Sequence, residues 1–159
     1  MRRLESLIHY RRPTQLALRA ALLLALRPDR SACRVRELAR AMDVPATYLA
    51  KVLQTLIRAG LVQSVRGPGG GVRLARAADD IHLWDILSVM EPAEELETCI
   101  LGLEHCNDLT PCPLHQQWCP IRQQLVESLQ RIQLEEFAQA AVQKGLLGAS
   151  STTSSEVQP

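Results

Sequence analysis

The chain has 159 residues, of which 47% are hydrophobic and only 3% aromatic, and its formal net charge is +1. This length suits one compact domain with an extension, and the hydrophobic content excludes a disordered chain. Because aromatic residues are so few, the core must consist of Leu, Ala, Ile and Val, which favours helices packed on helices.

The small net charge conceals an uneven distribution along the chain. Residues 1–77 contain 15 Lys and Arg against 4 acidic residues, a local charge of +11, whereas residues 78–159 contain 3 against 13, a local charge of −10. A basic half of this kind predicts contact with a polyanion, and the acidic half predicts a separate role. The alternative is that the basic and acidic residues form two solvent-exposed faces of the protein and bind no charged partner.

The N-terminal part is predicted to be a basic extension followed by a buried helix. The extension covers residues 1–13 and ends at Pro13, and Thr14 is the predicted N-cap of a helix that continues to about Arg27. This helix is apolar on almost all sides, which predicts a central position. Arginines interrupt its apolar run, which is also too short for a bilayer, so we expect a cytoplasmic protein with no membrane segment.

The next elements follow in a characteristic order. A helix at about Val35–Met42 is followed by a break at Asp43, a second helix at about Ala46–Ala59 and a C-terminal cap at Gly60. A strand pattern at 61–66, a glycine turn at 67–71 and a return strand at 72–75 come next, and then a short helix at about Leu83–Met90. Residues 14–91 therefore form one predicted domain.

The remaining chain divides into three predicted segments. Residues 92–119, here called the cysteine segment, are polar and contain four of the five cysteines. A last helix is predicted from Pro120 to about Lys144, with Ile121, Leu125, Leu129 and Ile132 spaced by 4, 4 and 3 residues. Residues 148–159 are rich in Ser and Thr, which predicts a disordered tail.

Two helices, a tight turn, a third helix and a two-stranded hairpin are the order of a winged helix-turn-helix domain. A recognition helix packs one face on its neighbours and presents a short polar face to the major groove, while arginines contact phosphates. The alternatives are an ordinary amphipathic helix and a simple hairpin; no nucleotide-binding motif is present. The predicted DNA-binding residues are Thr47, Tyr48, Lys51, Gln54, Arg58, Arg66, Gly67, Gly69, Gly70 and Arg73.

The cysteine segment has the ligand types of a metal centre. Its Cys99, Cys106, Cys112, His115 and Cys119 are separated by six, five, two and three residues. Thiolates and imidazole suit iron–sulfur clusters or zinc, and the absence of CxxC pairs weakens the zinc interpretation. A thiol–disulfide switch is the main chemical rival. The isolated Cys33 is interpreted as a small buried residue.

Several motifs resemble the Rrf2 family of bacterial transcription regulators over about residues 14–143. They are Glu37-Leu38-Ala39, Tyr48-Leu49 and the runs at 56–62, 64–71, 74–76 and 81–87. The resemblance implies a winged-helix homodimer, with the helix in 120–147 as the dimerisation element. It also implies a regulator, usually a repressor, that binds a double-stranded DNA operator and senses redox state, nitric oxide or iron–sulfur status.

The resemblance further implies that Cys99, Cys106 and Cys112 bind an iron–sulfur cluster. In one branch of the family a histidine three residues after the third cysteine, with two residues between them, is the fourth ligand, which corresponds to His115 here. Another branch uses an acidic residue from the partner's first helix, and the matching Gln15 is a poor ligand, which leaves Cys119 as the alternative. The first cysteine gap is one residue longer than in the histidine branch, so the resemblance does not decide between a [2Fe–2S] and a [4Fe–4S] cluster.

Three other functions remain open on the sequence alone. A zinc-dependent or thiol-dependent regulator of the same fold would use the same cysteines. An iron–sulfur carrier or a protein-binding adaptor would not bind DNA, but neither needs a basic half with a glycine turn. An enzyme is not expected, because no nucleophile–base pair or paired catalytic carboxylates stand out.

The chain departs from the resembled family at two positions. Arg34 and Pro45 stand where members of the family commonly have small polar helix caps.

Overall fold

The computed structural model describes residues 10–91, 107 and 109–146. The predicted fold class, mainly α with a small β-wing, is confirmed within these residues. Residues 1–9, Cys99, Cys106 and the predicted tail at 148–159 lie outside them. The helices and strands are α1 (Arg12–Ala25), α2 (Val35–Ala41), α3 (Ala46–Arg58), β1 (Val62–Val65), β2 (Gly71–Leu74), α4 (Leu83–Met90), α5 (His115–Arg131) and α6 (Leu134–Gln143).

Helix α1 is the central helix, as predicted. Leu16, Ala17, Ala20 and Leu24 are all buried, and the helix packs against α3, α4 and α6. Its buried Ala side chains are small, and together with the buried Leu residues they form a core without aromatic residues among the fully buried members that the structure describes. None of the helices in the described part of the chain is both long and apolar enough to cross a membrane.

The start of α1 differs from the prediction. The helix begins at Arg12, so Pro13 lies in its first turn and does not close the preceding extension. Proline suits this position because its fixed φ is helical and no partner is needed there for an N–H group. The prediction that Thr14 is the N-cap was wrong: Thr14 is the third helical residue and is fully buried.

The turns on either side of α3 have the backbone geometry that the sequence indicated. Asp43, after α2, and Gly60, after α3, have φ values of 54° and 71°. The Gly60 N–H bonds to the carbonyl of Ile57 at 3.0 Å, which satisfies one of the last helical carbonyls. Arg34 and Pro45 occupy the N-cap positions of α2 and α3, and neither helix has a side-chain cap.

The two strands form an antiparallel hairpin, in which Val62 lies opposite Leu74 and Val65 opposite Gly71. A third segment extends this sheet, because Cys33 and Val72 exchange two backbone hydrogen bonds of 2.8 and 2.9 Å. These two hydrogen bonds attach the hairpin to the chain that leads into α2.

The predicted single helix from Pro120 to Lys144 is two helices in the structure. Helix α5 begins at His115, so Pro120 lies inside it, where it cannot donate a backbone hydrogen bond. The chain is extended at Ile132 and Gln133, where Leu83 N–H bonds to the Ile132 carbonyl at 3.0 Å. Helix α6 then packs on α1 through buried Leu134, Ala138 and Ala141.

Candidate functional site

Helix α3 presents a polar face to solvent, as the recognition-helix prediction requires. Thr47, Lys51, Gln54 and Arg58 are exposed and spaced by four, three and four residues, which places them on one side of the helix. The opposite side contains the buried residues Leu49, Val52, Leu53 and Leu56. Tyr48 is half-buried at the edge of the polar face.

The turn between β1 and β2 extends from Arg66 to Gly70, and most of it is exposed. The Gly70 N–H bonds to the Gly67 carbonyl at 2.9 Å, and Gly69 has a φ of 78°. Proline followed by a residue of positive φ is typical of a type II turn. A Cβ on Gly70 would lie 2.4 Å from the Val65 carbonyl oxygen, so the tight turn requires glycine there.

Arg73 has a partner that no sequence motif indicates. Gln63 lies directly opposite Arg73 across the hairpin. With the Gln63 amide oriented to suit its neighbour, its oxygen accepts from Arg73 Nε at 2.8 Å and from Nη2 at 3.2 Å. The pair holds the guanidinium against the hairpin, where its charge is still exposed to solvent. The pairing depends on the register of the folded hairpin, which places these two residues opposite each other.

Cys33 is buried at 3% relative exposure, which confirms its interpretation as a small buried residue. Its Sγ lies 3.4 Å from Glu37 Oε2. Burial, together with the hydrogen bond to Glu37, raises the pKa of the Cys33 thiol. The thiol is therefore poorly suited to reaction or metal binding at neutral pH.

The cysteine segment is described only in its last part. His115 and Cys119 lie one turn apart on α5, and Cys119 Sγ is 3.4 Å from His115 Nε2 and 3.7 Å from Nδ1. Cys112 precedes them, and its carbonyl accepts from the His115 N–H at 3.0 Å. Among the residues that the structure describes, no three His, Cys, Asp or Glu side chains converge on one point.

Gln15, the position that matches an acidic ligand in one branch of the family, is exposed near the start of α1. Its Nε2 donates to the Tyr10 carbonyl at 2.9 Å. An amide in this position offers a metal only a neutral oxygen, which is a weak ligand for iron. The sequence-based expectation for the fourth ligand, His115 or Cys119, is therefore unchanged.

A buried acidic group lies at the C-terminal end of α4, and no sequence motif indicated it. Glu91 is 6% exposed and follows the last residue of α4. Its Oε1 accepts from the Thr14 hydroxyl and, at 3.1 Å, from the Arg11 N–H. Burial, together with the negative charge of Glu91, raises the pKa of Tyr10.

The comparisons with known proteins agree with this architecture. The model of the family Rrf2, described as an iron-dependent transcriptional regulator, matches residues 10–140. The chain belongs to the Rrf2 family. Its members are transcriptional regulators, so the expectation that the chain is not an enzyme is confirmed, and DNA binding follows from the family.

Two curated relatives and two solved structures illustrate the Rrf2 relationship. A putative HTH-type transcriptional regulator of Aquifex aeolicus is 38% identical over 111 residues, which are 69% of this chain and 76% of the relative. The regulator IscR of Vibrio atlanticus is 31% identical over 121 residues, 76% of this chain and 69% of the relative.

The solved structures have the same winged-helix fold. CymR, the global cysteine regulator of B. subtilis, superimposes with a TM-score of 0.70 at 25% identity, covering 84% of this chain and 98% of CymR. IscR of T. potens gives a TM-score of 0.69 at 24% identity and covers 89% and 94%. The Rrf2 winged-helix assignment made from sequence is therefore confirmed.

Proposed function

We propose that this Rrf2 protein is a cytoplasmic homodimer that represses transcription from a double-stranded DNA operator and responds to an iron–sulfur cluster. The signal is redox state, nitric oxide or iron–sulfur status. The observation that supports operator binding best is the polar face of α3 beside an exposed glycine turn, both within the basic half of the chain.

In the proposed complex, the polar face of α3 enters the major groove. Thr47, Lys51 and Gln54 contact base edges, Tyr48 borders them, and Arg58 contacts a phosphate. The turn lies against the backbone of the DNA, because glycines without side chains permit close approach. Its contacts come from Arg66, Gly67, Gly69 and Gly70, and Arg73 adds positive charge on the adjacent strand.

The proposed dimer explains the surface of α5. This helix has 17 residues, and none of its side chains is buried in the described chain. Ile121 is 56% exposed, and Leu125 and Leu129 are only partly covered. An apolar stripe on a long helix is stable in water when a second copy covers it. A dimer also presents two copies of α3 at a fixed spacing, which a palindromic operator requires.

The donor set of the cysteine segment fits an iron–sulfur cluster. Cys99, Cys106 and Cys112 are the proposed thiolate ligands, and His115 is the proposed fourth ligand, with Cys119 as the alternative. The contact between His115 and Cys119 supports this set, since one helical turn presents both donors together. When bound, a [2Fe–2S] or [4Fe–4S] cluster supplies a centre that reacts with oxidants and nitric oxide.

Ligand substitutions test the cofactor. Cys106→Ala is expected to abolish iron and acid-labile sulfide in protein purified without oxygen, because a thiolate ligand is lost. Cys33→Ala is the matched control, since Cys33 is buried beside the hairpin. His115→Ala and Cys119→Ala then identify the fourth ligand by which of them changes the cluster's absorption spectrum.

The iron measurement also separates the alternatives. Equal iron in the Cys106→Ala and Cys33→Ala proteins would refute the cluster assignment. A protein that binds DNA but contains zinc, or no metal, would be the zinc-dependent or thiol-dependent regulator of the same fold. A protein that holds a cluster but does not bind DNA would be a carrier or an adaptor.

A further inference from the structure

Glu91 is the only charged residue with a buried side chain among the residues that the structure describes. Burial of a carboxylate is costly unless hydrogen bonds replace its water. Here the Thr14 hydroxyl and the Arg11 N–H donate to Oε1, and Arg11 Nε lies 3.8 Å from Oε2. Thr14 and Arg11 lie 77 and 80 residues away from Glu91 in sequence, so the network joins two distant parts of the chain.

The network caps the N-terminus of α1. Helices begin with N–H groups that have no partner within the helix, and a side chain usually satisfies one of them. The N-cap residue of α1 is Arg11, which makes no side-chain cap, and the first turn contains no acidic residue. The Glu91 carboxylate supplies the missing acceptor, with its negative charge at the positive end of the helix dipole.

The position of Glu91 connects this cap to the cysteine segment. Glu91 directly follows α4, and its own N–H still bonds to the Leu87 carbonyl at 2.9 Å. The next residue, Pro92, begins the cysteine segment, and Cys99 follows eight residues after Glu91. On the other side, α1 packs directly on the recognition helix α3.

We propose that Glu91 is a positioning residue that anchors the base of the cysteine segment to α1, and that this contact transmits changes in the segment to α3. The inference rests on the proposed function, because it assigns the route by which the cluster acts on DNA binding. Displacement of Glu91 removes the carboxylate oxygen that accepts from the Thr14 hydroxyl and the Arg11 N–H. Because a buried hydrogen bond is either made or broken, the contact favours two distinct arrangements of the segment.

Two variants weaken the contact without a large change in shape. Thr14→Val removes the hydroxyl and keeps the side-chain volume, and Glu91→Gln keeps the size and removes the charge. Thr14→Ser retains the hydroxyl and is the rescue variant. Glu136→Gln, on an exposed position of α6, is the control for loss of one acidic charge.

Two readouts are measured with and without a reconstituted cluster: the affinity for a selected operator duplex, and hydrogen exchange in the first two turns of α1. In the wild type, cluster loading changes both. In Thr14→Val and Glu91→Gln the exchange response disappears. The ratio of loaded to cluster-free affinity in these variants is closer to one than the wild-type ratio by a factor of at least about five. Thr14→Ser and Glu136→Gln keep the wild-type ratio.

The inference is overturned if the Thr14→Val and Glu91→Gln ratios stay within about twofold of the wild type, a margin well below ordinary coupling energies. Failure to load any cluster would refute the proposed function separately. In that case alkylation of the cysteines with iodoacetamide replaces loading. An exchange response in wild-type α1 that the two variants lose still supports the anchor. No response in the wild type, or an equal response in the variants, refutes it.

Discussion

Substitution of Gly71 by Ala is expected to detach the β-hairpin from the chain that precedes α2. A Cβ at this position would lie 2.2 Å from the Cys33 carbonyl oxygen and 2.9 Å from the Arg34 nitrogen. Both are backbone atoms, so neither can rotate away, and the Cys33–Val72 bridge has to open. The bridge contains two backbone hydrogen bonds, each of which contributes about 1 kcal/mol, so the free energy of unfolding falls by about 2 kcal/mol or more.

Gly67→Ala is the matched control in the same turn. Gly67 has a φ of 95°, and a Cβ there has no atom within 4 Å, so only backbone strain of about 1 kcal/mol opposes alanine. Urea unfolding at one fixed protein concentration compares the two variants, because the stability of the proposed dimer would depend on concentration. Equal stability of the two variants, or a more stable Gly71→Ala protein, would refute the steric argument.

Three further predictions concern DNA contact, thiol reactivity and packing. Arg66→Ala should weaken binding to specific and random duplexes alike and lower the slope of log affinity against log salt by about one, measured by anisotropy; unchanged affinity at moderate salt would exclude a phosphate contact. Because burial and the hydrogen bond to Glu37 raise the pKa of Cys33, less of its thiol is ionised at pH 8 than for a free cysteine. Iodoacetamide should therefore alkylate Cys33 more slowly than it alkylates the thiol of glutathione, and equal alkylation rates measured by mass spectrometry would contradict this. Leu134→Ala should lower the free energy of unfolding by about 2–5 kcal/mol, against less than about 0.5 kcal/mol for the exposed Gln139→Ala, and similar values would show that α6 is not part of the core.

Local signals predicted the DNA-binding half of the fold well. The bounds of α2, α3 and α4 agree with the predicted helices to within about one residue, a normal margin for helix ends. Asp43 and Gly60 have the left-handed geometry that their residue types favour. The exposed side of α3 could be read from its apolar period, because a 3.6-residue repeat fixes which residues share a face.

Contacts between distant segments account for the differences. The apolar spacing of residues 121–132 gave no sign of the break before α6, because the break depends on backbone pairing of Ile132 with Leu83. Thr14 was assigned as a cap because its type suits that position. Its hydroxyl instead donates to the carboxylate of Glu91, 77 residues away. Pro120 suggested a helix start, whereas α5 begins five residues earlier at His115 and tolerates the lost hydrogen bond.

Some of the site residues could be predicted from a single element of the sequence, and others depend on contacts between separate segments. The surface of α3 and the glycine turn were accessible from sequence, because each belongs to one continuous element. The partners Gln63 of Arg73 and Thr14 of Glu91 were not, since each pair forms only after the chain has folded. Of the proposed cluster ligands, only Cys112, His115 and Cys119 lie among the described residues, and the ligand set as a whole stays a prediction.

The most direct test of the account is the DNA affinity of one protein preparation before and after its cluster is removed. Protein purified without oxygen is analysed for iron and acid-labile sulfide, and its affinity is measured for a duplex selected from a random pool. Half of the sample is then stripped of iron by a chelator and measured again. The account predicts a cluster in the first sample and an affinity that changes by at least about fivefold on removal. A protein without iron and sulfide, or one whose affinity is the same in both states, would contradict it.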